Sequence, residues 1–167
     1  GTTAEGDHSL SMGVMSSASG LNSLAIGYDN TASGTQSVAV GNGTNASGNY
    51  SVAMGLGSQA GTQNTDPEST DNGAAVAVGF EASAEQTGSA AYGYMASANN
   101  FESSAFGTSA TANKDGSVAL GAHSVANREK GVKGYLIPDE VNDIIIKEEG
   151  DKGNTSADTK IDTAIWM

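Results

Sequence analysis

The chain has 167 residues, of which 23 are glycine and only three are Phe, five Tyr and one Trp, a composition too poor in bulky side chains for a thick hydrophobic core. Its formal charge of −12 disfavours nucleic acid and anionic membrane surfaces as partners. The absence of cysteine excludes disulfides, thiolate catalysis and cysteine-bound metals.

The first element along the chain is a five-residue phrase that occurs eight times. Each copy ends on glycine and carries small or apolar residues at its other four positions. The closing glycines are spaced by 14 residues, with a single exception of 24 residues. The longer step indicates an insertion of ten residues at about 62–71. The copies are SLSMG at Ser9, SLAIG at Ser23, SVAVG at Ser37, SVAMG at Ser51, AVAVG at Ala75, SAAYG at Ser89, SSAFG at Ser103 and SVALG at Ser117.

A second element keeps the same phase, because an alanine follows every closing glycine after five residues. The repeating unit therefore reads as a strand, a glycine turn, a short strand of small residues and a polar turn. Two strands and two turns in 14 residues predict one coil of a β-solenoid. The alanines are Ala18, Ala32, Ala46, Ala60, Ala84, Ala98, Ala112 and Ala126.

Alternation along the phrase sends its second and fourth residues to one face of the strand and its first, third and fifth to the other. Neither face carries a charge, which predicts burial on both sides. Where the fourth position is aromatic, at Tyr92 and Phe106, the second position holds a small residue, Ala90 or Ser104. A large side chain is thus offset by a small one, as expected if both side chains fill one compartment of fixed width. We expect that compartment to be the inside of the coil, with the small face turned towards another subunit. The predicted core of the coil or of an oligomer contains Ala25, Ile26, Ala39, Val40, Ala53, Met54, Ala77, Val78, Tyr92, Phe106, Ala119 and Leu120.

SVAVG, SVAMG and SVALG at a 14-residue period, each followed by the alanine, resemble the YadA-like head repeats of trimeric autotransporter adhesins over about residues 9 to 128. The resemblance implies an all-β fold, a left-handed parallel β-roll of 14-residue coils, assembled as a homotrimer. It also implies display on a stalk at the outer surface, and so at the outer membrane, of a Gram-negative bacterium.

The segment after Ala126 is similar to the connector that closes such heads and leads into a tryptophan-containing β-domain or neck, here with Trp166. We therefore expect a head of eight coils over 1–128 and an incomplete second domain over 129–167. Val141 to Lys147 is expected to form a strand. A signal segment, stalk and membrane anchor are expected to lie in a longer precursor from which this chain is cut, with membrane attachment only through that anchor.

The inserted segment carries Asp66, Pro67, Glu68 and Asp71. A loop projecting from a uniform rod can contact a partner without disturbing the stack, so these four residues are candidate binding residues. The alternative is a solvated bulge. Calcium is a weaker hypothesis, because the spacing of the carboxylates does not match an EF-hand loop.

Aromatic residues in or near the turns form a second set of candidates. Phe80 and Tyr94 each follow a closing glycine, so we expect a short ladder of the two rings on one edge. Together with Tyr28 and Phe101 they could anchor a protein partner, or alternatively cover the rim of the core.

Other polar residues offer no catalytic, cofactor or metal site. His8 and His123 lack triad partners and metal spacing and are expected at the surface. Arg128, Lys130 and Lys133 are expected to pair with acidic residues of neighbouring subunits, with a ligand patch as the alternative.

The resemblance implies a surface adhesin that binds itself as a homotrimer and binds an extracellular-matrix protein or host-cell receptor through many equivalent sites. The alternative is a structural spacer whose ligand site lies in another domain. An enzyme of the hexapeptide acyltransferase type is excluded by the 14-residue period, and ice binding is disfavoured because the turns lack flat threonine ladders.

Overall fold

The computed structural model describes residues 1–61 and 73–128, and these form a parallel β-solenoid of about eight 14-residue coils, without a helix among them. The predictions for the insertion at 62–71 and for residues 129–167 lie outside the described residues. The strands are β1 Thr3–Ala4, β2 Leu10–Val14, β3 Ser17–Ala18, β4 Leu24–Tyr28, β5 Thr31–Ala32, β6 Val38–Asn42, β7 Asn45–Ala46, β8 Val52–Leu56, β9 Gln59–Ala60, β10 Val76–Val78, β11 Ser83–Ala84, β12 Ala90–Tyr92, β13 Ser97–Ala98, β14 Ser104–Phe106, β15 Thr111–Ala112, β16 Val118–Leu120 and β17 Val125–Ala126.

The strands form two sheets, and each coil contributes one strand to each. The even-numbered strands, which hold the five-residue phrases, make an eight-stranded sheet in the order β2 to β16. The odd-numbered strands, which hold the later alanines, make a nine-stranded sheet in the order β1 to β17. Every strand pair is parallel, as stacking of identical coils requires. The predicted solenoid of two strands and two turns per coil is confirmed.

Equivalent residues of successive coils lie directly beside one another. Ala25 pairs with Ala39, for example, and Leu24 donates its N–H to the carbonyl of Ser37 at 2.9 Å. The backbone hydrogen bonds therefore run from coil to coil, along the stacking direction.

The stack continues across the insertion without a change of register. Val52 pairs with Val76, and Gln59 pairs with Ser83. The two ends of the insertion, Gly61 and Gly73, both lie against Gly48 of the preceding coil. The described chain therefore stops and resumes at one corner of the stack.

Alanine fills the interior of the solenoid. The third residue of the phrase and the alanine five residues after the closing glycine face each other between the two sheets, as Ala25 and Ala32 do, and both are fully buried. Only small side chains fit between sheets joined by such short turns. The buried set comprises Ala18, Ala25, Ala32, Ala39, Ala46, Ala53, Ala60, Ala75, Ala77, Ala82, Ala84, Ala91, Ala96, Ala98, Ala105, Ala110, Ala112 and Ala119.

This arrangement corrects the predicted inside and outside of the coil. The large side chains at the second and fourth positions point away from the interior, and Met54, Tyr92, Phe106 and Leu120 are exposed in the single chain. Ile26, Val40 and Val78 on the same face are only half-buried. The prediction that the large residues fill the coil is wrong, because the gap between the sheets admits no more than Ala, Ser or an occasional Asn or Thr. The predicted burial on both sides of the strand is likewise not present in the single chain.

Candidate interaction surfaces

The eight-stranded sheet presents one continuous apolar surface, which we call the apolar face. It consists of the second and fourth residues of the eight phrases, and none of these sixteen side chains is buried in the single chain. No charged residue interrupts it. Its two columns are Leu10, Leu24, Val38, Val52, Val76, Ala90, Ser104 and Val118, and Met12, Ile26, Val40, Met54, Val78, Tyr92, Phe106 and Leu120.

Aromatic rings lie on this face in two successive coils. Tyr92 pairs with Phe106, and their rings stack with centroids 5.1 Å apart and planes at 8°. The stack follows directly from the coil-on-coil register, since equivalent side chains sit side by side along a parallel sheet. The neighbouring positions in the same two coils are the small residues Ala90 and Ser104.

A second aromatic pair lies at the edge of the apolar face. Phe80 and Tyr94 each follow a closing glycine, and their rings stack with centroids 4.9 Å apart and planes at 9°. The predicted ladder is confirmed. Tyr28 and Leu56 follow the closing glycine in earlier coils and are exposed as well, with Asn42 between them. The apolar edge beside the apolar face is therefore continuous from Leu56 through Phe80 to Tyr94.

Phe101 does not join this pair. It lies in the other turn of its coil, between β13 and β14, where its carbonyl accepts the N–H of Gly116. Of the four predicted aromatic candidates, the structure brings Phe80 and Tyr94 together, places Tyr28 at the equivalent position of an earlier coil, and places Phe101 at a different corner. The candidates Asp66, Pro67, Glu68 and Asp71 fall outside the described residues.

The nine-stranded sheet has a different outer surface, which we call the polar face. Its outward positions carry hydroxyl and amide side chains, among them Thr31, Asn45 and Gln59, and all three are exposed. One member, Ser83, donates its hydroxyl to Asn99 Oδ1 at 2.9 Å. The two faces of the solenoid thus differ in chemistry, since one is apolar and the other hydrophilic. An exposed apolar face is typical of a protein-binding surface, whereas a hydrophilic face is typical of a surface in contact with water.

The described part of the chain shows no cluster of residues that would support catalysis or metal binding. Its His and acidic residues form no group of three that could hold a metal ion. His8 and His123 are exposed and occupy left-handed turn positions with φ of 56° and 58°. Across residues 1–61 and 73–128 there is also no helix long and apolar enough to cross a membrane.

Three exposed apolar residues at or beside the apolar edge are absent from the sequence-based candidates. Leu56 belongs to the apolar edge, and its fixed offset from the closing glycine was the available signal. Met15 and Met95 are exposed at the corners that follow the edge. Their position two residues after a closing glycine marks them as turn residues rather than face residues.

The sequence matches the family model described as YadA head domain repeat (2 copies) over residues 4–30, 32–58, 74–96 and 98–124. These segments cover more than half of the chain and leave out the insertion. A search among curated proteins returned no match. The solenoid of 14-residue coils and the matched repeats lead to one conclusion: the chain belongs to the YadA head domain repeat family.

Proposed function

We propose that this chain is the head of a bacterial adhesin that attaches to host cells or to the extracellular matrix by protein–protein binding. It acts as a homotrimer of left-handed β-rolls, displayed at the bacterial cell surface by the outer-membrane anchor of a longer protein. Membership of the YadA head family supports this proposal. The observation that carries it is the apolar face, which covers the full height of the stack and is left open in the single chain.

The trimer is supported by the size and continuity of that face. At ~4.8 Å per coil, eight coils make it about 34 Å tall from the first strand to the last. Contiguous apolar surface of this extent is rare on a soluble monomer and marks a protein contact. A closed ring of copies covers the face of every subunit equally, whereas an open arrangement would leave copies at its ends uncovered.

Ligand binding is assigned to the parts of the coil that the stack leaves free to vary. The insertion with Asp66, Pro67, Glu68 and Asp71, the pair Phe80 and Tyr94, and the turn residue Phe101 are the candidate contacts. The stack positions Phe80, Tyr94 and Phe101 on its turns, and trimerisation repeats each candidate contact three times. Several weak contacts of this kind give avidity without a deep pocket.

The test presents the assembled protein to an array of matrix proteins and cell-surface receptors, after light scattering has established a trimeric mass. Three forms are compared: the unaltered chain, a deletion of residues 62–71, and the double variant Phe80→Ala with Tyr94→Ala. Gln59→Ala on the polar face serves as the control, because it truncates an exposed side chain outside the candidate set.

Loss of binding in the deletion alone assigns the insertion, and loss in the double variant alone assigns the aromatic pair. A trimer that binds no partner in any form contradicts the adhesive role. That result favours a structural spacer whose ligand site lies in another domain.

A further inference from the structure

One coil carries asparagine at three of its surface positions. Asn42, Asn45 and Asn49 occupy the first, fourth and eighth places after the closing glycine Gly41. Where the structure describes the same places in the other coils, none of them holds asparagine. All three side chains are exposed. Positions that otherwise vary from coil to coil are therefore occupied by one residue type in this coil.

Each of these asparagines is followed two residues later by a hydroxyl side chain. Thr44, Ser47 and Ser51 complete three copies of the triplet Asn-x-Ser/Thr, and none of the three has proline at its middle position. This triplet is the acceptor sequence for N-linked glycosylation of surface segments in secreted proteins. The other described asparagines lack a hydroxyl residue at this distance: Asn22, Asn30, Asn99, Asn100, Asn113 and Asn127.

The three asparagines lie on different sides of the coil. Asn42 lies between Tyr28 and Leu56, beside the apolar face. Asn45 belongs to β7 on the polar face, and Asn49 lies in the turn between β7 and β8. The second and fourth positions of the phrases, which form the apolar face, contain no asparagine. Sugars on these three residues would therefore surround the coil on every side except the apolar face.

The stack can carry a substituent at these carboxamides without losing the hydrogen bond that one of them makes. Asn49 Oδ1 accepts the backbone N–H of Thr35 at 2.9 Å. N-linked glycosylation substitutes Nδ2 and leaves Oδ1 as an acceptor, so this hydrogen bond between coils survives the modification. Exposure of all three side chains leaves room for a bulky, hydrated group.

The hydroxyls of the triplets are engaged within the folded stack. Thr44 is buried and donates its hydroxyl to Asn30 Oδ1 at 2.6 Å, and Ser47 donates to the carbonyl of Gly61 at 2.6 Å. The hydroxyl of Ser51 is likewise buried and hydrogen-bonded. A transferase that recognises the hydroxyl of the triplet therefore reaches it only before the coils have stacked.

We propose that Asn42, Asn45 and Asn49 are acceptors for N-linked sugars, attached before folding and displayed around this one coil. The donor is a sugar whose anomeric carbon carries a phosphate leaving group, linked either to a nucleotide or to a lipid. Nδ2 of the carboxamide forms a bond to the anomeric carbon, the bond from that carbon to the phosphate oxygen breaks, and Nδ2 gives up one proton to a base of the transferase. Neither the trimer nor the ligand proposed above depends on these sugars, so the two proposals fail separately.

Peptide mass spectrometry of the chain isolated from the bacterium that produces it tests the proposal. Sugar should be found on the three acceptors and not on Asn22, Asn99 and Asn113, which are matched controls because they are exposed but lack the hydroxyl. One hexose per site indicates a nucleotide-linked donor, and a longer chain indicates a lipid-linked donor. Unmodified acceptors overturn the proposal, and equal modification of the controls overturns the role of the triplet.

Two variants made in the same bacterium separate recognition of the triplet from exposure alone. Ser47→Ala removes the hydroxyl and keeps Asn45, so sugar should be lost from Asn45 and retained on Asn42 and Asn49. Ser47→Thr restores a hydroxyl and should restore the sugar on Asn45. Sugar that persists on Asn45 in the alanine variant would exclude recognition through this hydroxyl.

The order of modification and folding is tested with a soluble bacterial N-glycosyltransferase that uses UDP-glucose. The enzyme is either co-expressed with the chain in a laboratory strain or added with UDP-glucose to the purified, folded chain. Hexose should accumulate on the three acceptors during co-expression and stay at background on the folded chain. Equal occupancy in the two samples overturns the requirement for modification before the coils stack.

Discussion

Asn30 and Thr44, one coil apart, form a hydrogen-bonded pair inside the solenoid. Asn30 Oδ1 accepts the backbone N–H of Thr44 at 2.9 Å and its hydroxyl at 2.6 Å. Asn30 Nδ2 donates to the carbonyls of Ile26 and Gly41 at 2.8 and 2.9 Å. Both side chains are buried, so one carboxamide joins two coils through four satisfied hydrogen bonds.

Replacing this carboxamide should destabilise the fold in a graded way. Asn30→Ala should lower the free energy of unfolding by about 2 kcal/mol, because the carbonyls of Ile26 and Gly41 and the N–H and hydroxyl of Thr44 each lose a hydrogen bond. Asn30→Asp should cost more, since it turns a carboxylate oxygen towards those two carbonyls. The measurement is denaturant unfolding followed by circular dichroism.

Asn45→Ala is the matched control for this pair of variants. Asn45 is exposed on the polar face, and its truncation should change the unfolding free energy by less than about 0.5 kcal/mol. Equal effects of Asn30→Ala and Asn45→Ala would contradict a structural role for the buried pair.

The closing glycines from Gly13 to Gly107 should tolerate no side chain, because each lies directly against the next coil. A Cβ on Gly27, which has φ of 128°, would overlap the carbonyl oxygen of Gly41. Gly27→Ala should therefore cost at least about 3 kcal/mol or prevent folding. Gly43→Ala is the control at a glycine without such a clash, because Gly43 has open space around it and φ of 64°, a left-handed conformation that other residues reach at modest cost. It should cost only about 1 kcal/mol, and thermal melting that ranks the two variants in the opposite order would refute the steric argument.

The turns offer positions for stabilisation. Gln36 is exposed and adopts φ of 56°, a left-handed conformation that asparagine accepts more readily than glutamine. Asn22 occupies the equivalent place one coil earlier with φ of 54°. Gln36→Asn should therefore raise the melting temperature by about 1 to 2 °C, corresponding to ~0.5 kcal/mol. The same exchange at Gln59, a strand residue on the polar face, should give no gain, and a similar rise there would remove the conformational explanation.

The period and phase of the coils could be predicted because stacking forces equivalent residues into identical surroundings. Every coil needs glycine at the position where Gly27 lies against Gly41, and a small residue at the position where Ala25 pairs with Ala39. Glycine therefore recurs in all eight phrases, and alanine recurs at the third position in all but the first. The aromatic pair followed from the same logic, since Phe80 and Tyr94 share one offset from the closing glycine. The separate location of Phe101 follows too, once its turn is distinguished from theirs.

The orientation of the faces was not predictable from alternation, because neither side of the strand is charged. Volume compensation at Tyr92 and Phe106 arises equally in a closed interior or in a contact between copies. What decides the matter is the narrow gap between the sheets, which is lined on both sides by alanines such as Ala25 and Ala32. The pairing of Asn30 with Thr44 was also hidden, since both residues read as ordinary turn polarity until their coils are superposed.

Methionine oxidation can report which side of the coil is covered in the assembled protein. Met12 and Met54 lie on the apolar face, whereas Met15 and Met95 lie at turn corners, and all four have similar exposure in the single chain, at 53, 41, 52 and 45%. Peroxide should therefore convert all four to the sulfoxide at similar rates in a monomer. In the proposed trimer Met12 and Met54 should react far more slowly than Met15 and Met95, because only the face residues are buried between copies. Peptide mass spectrometry after timed exposure gives the four rates, and dilution or mild denaturant that dissociates the assembly should remove the difference. Equal rates in a sample of trimeric mass would show that another surface holds the copies together.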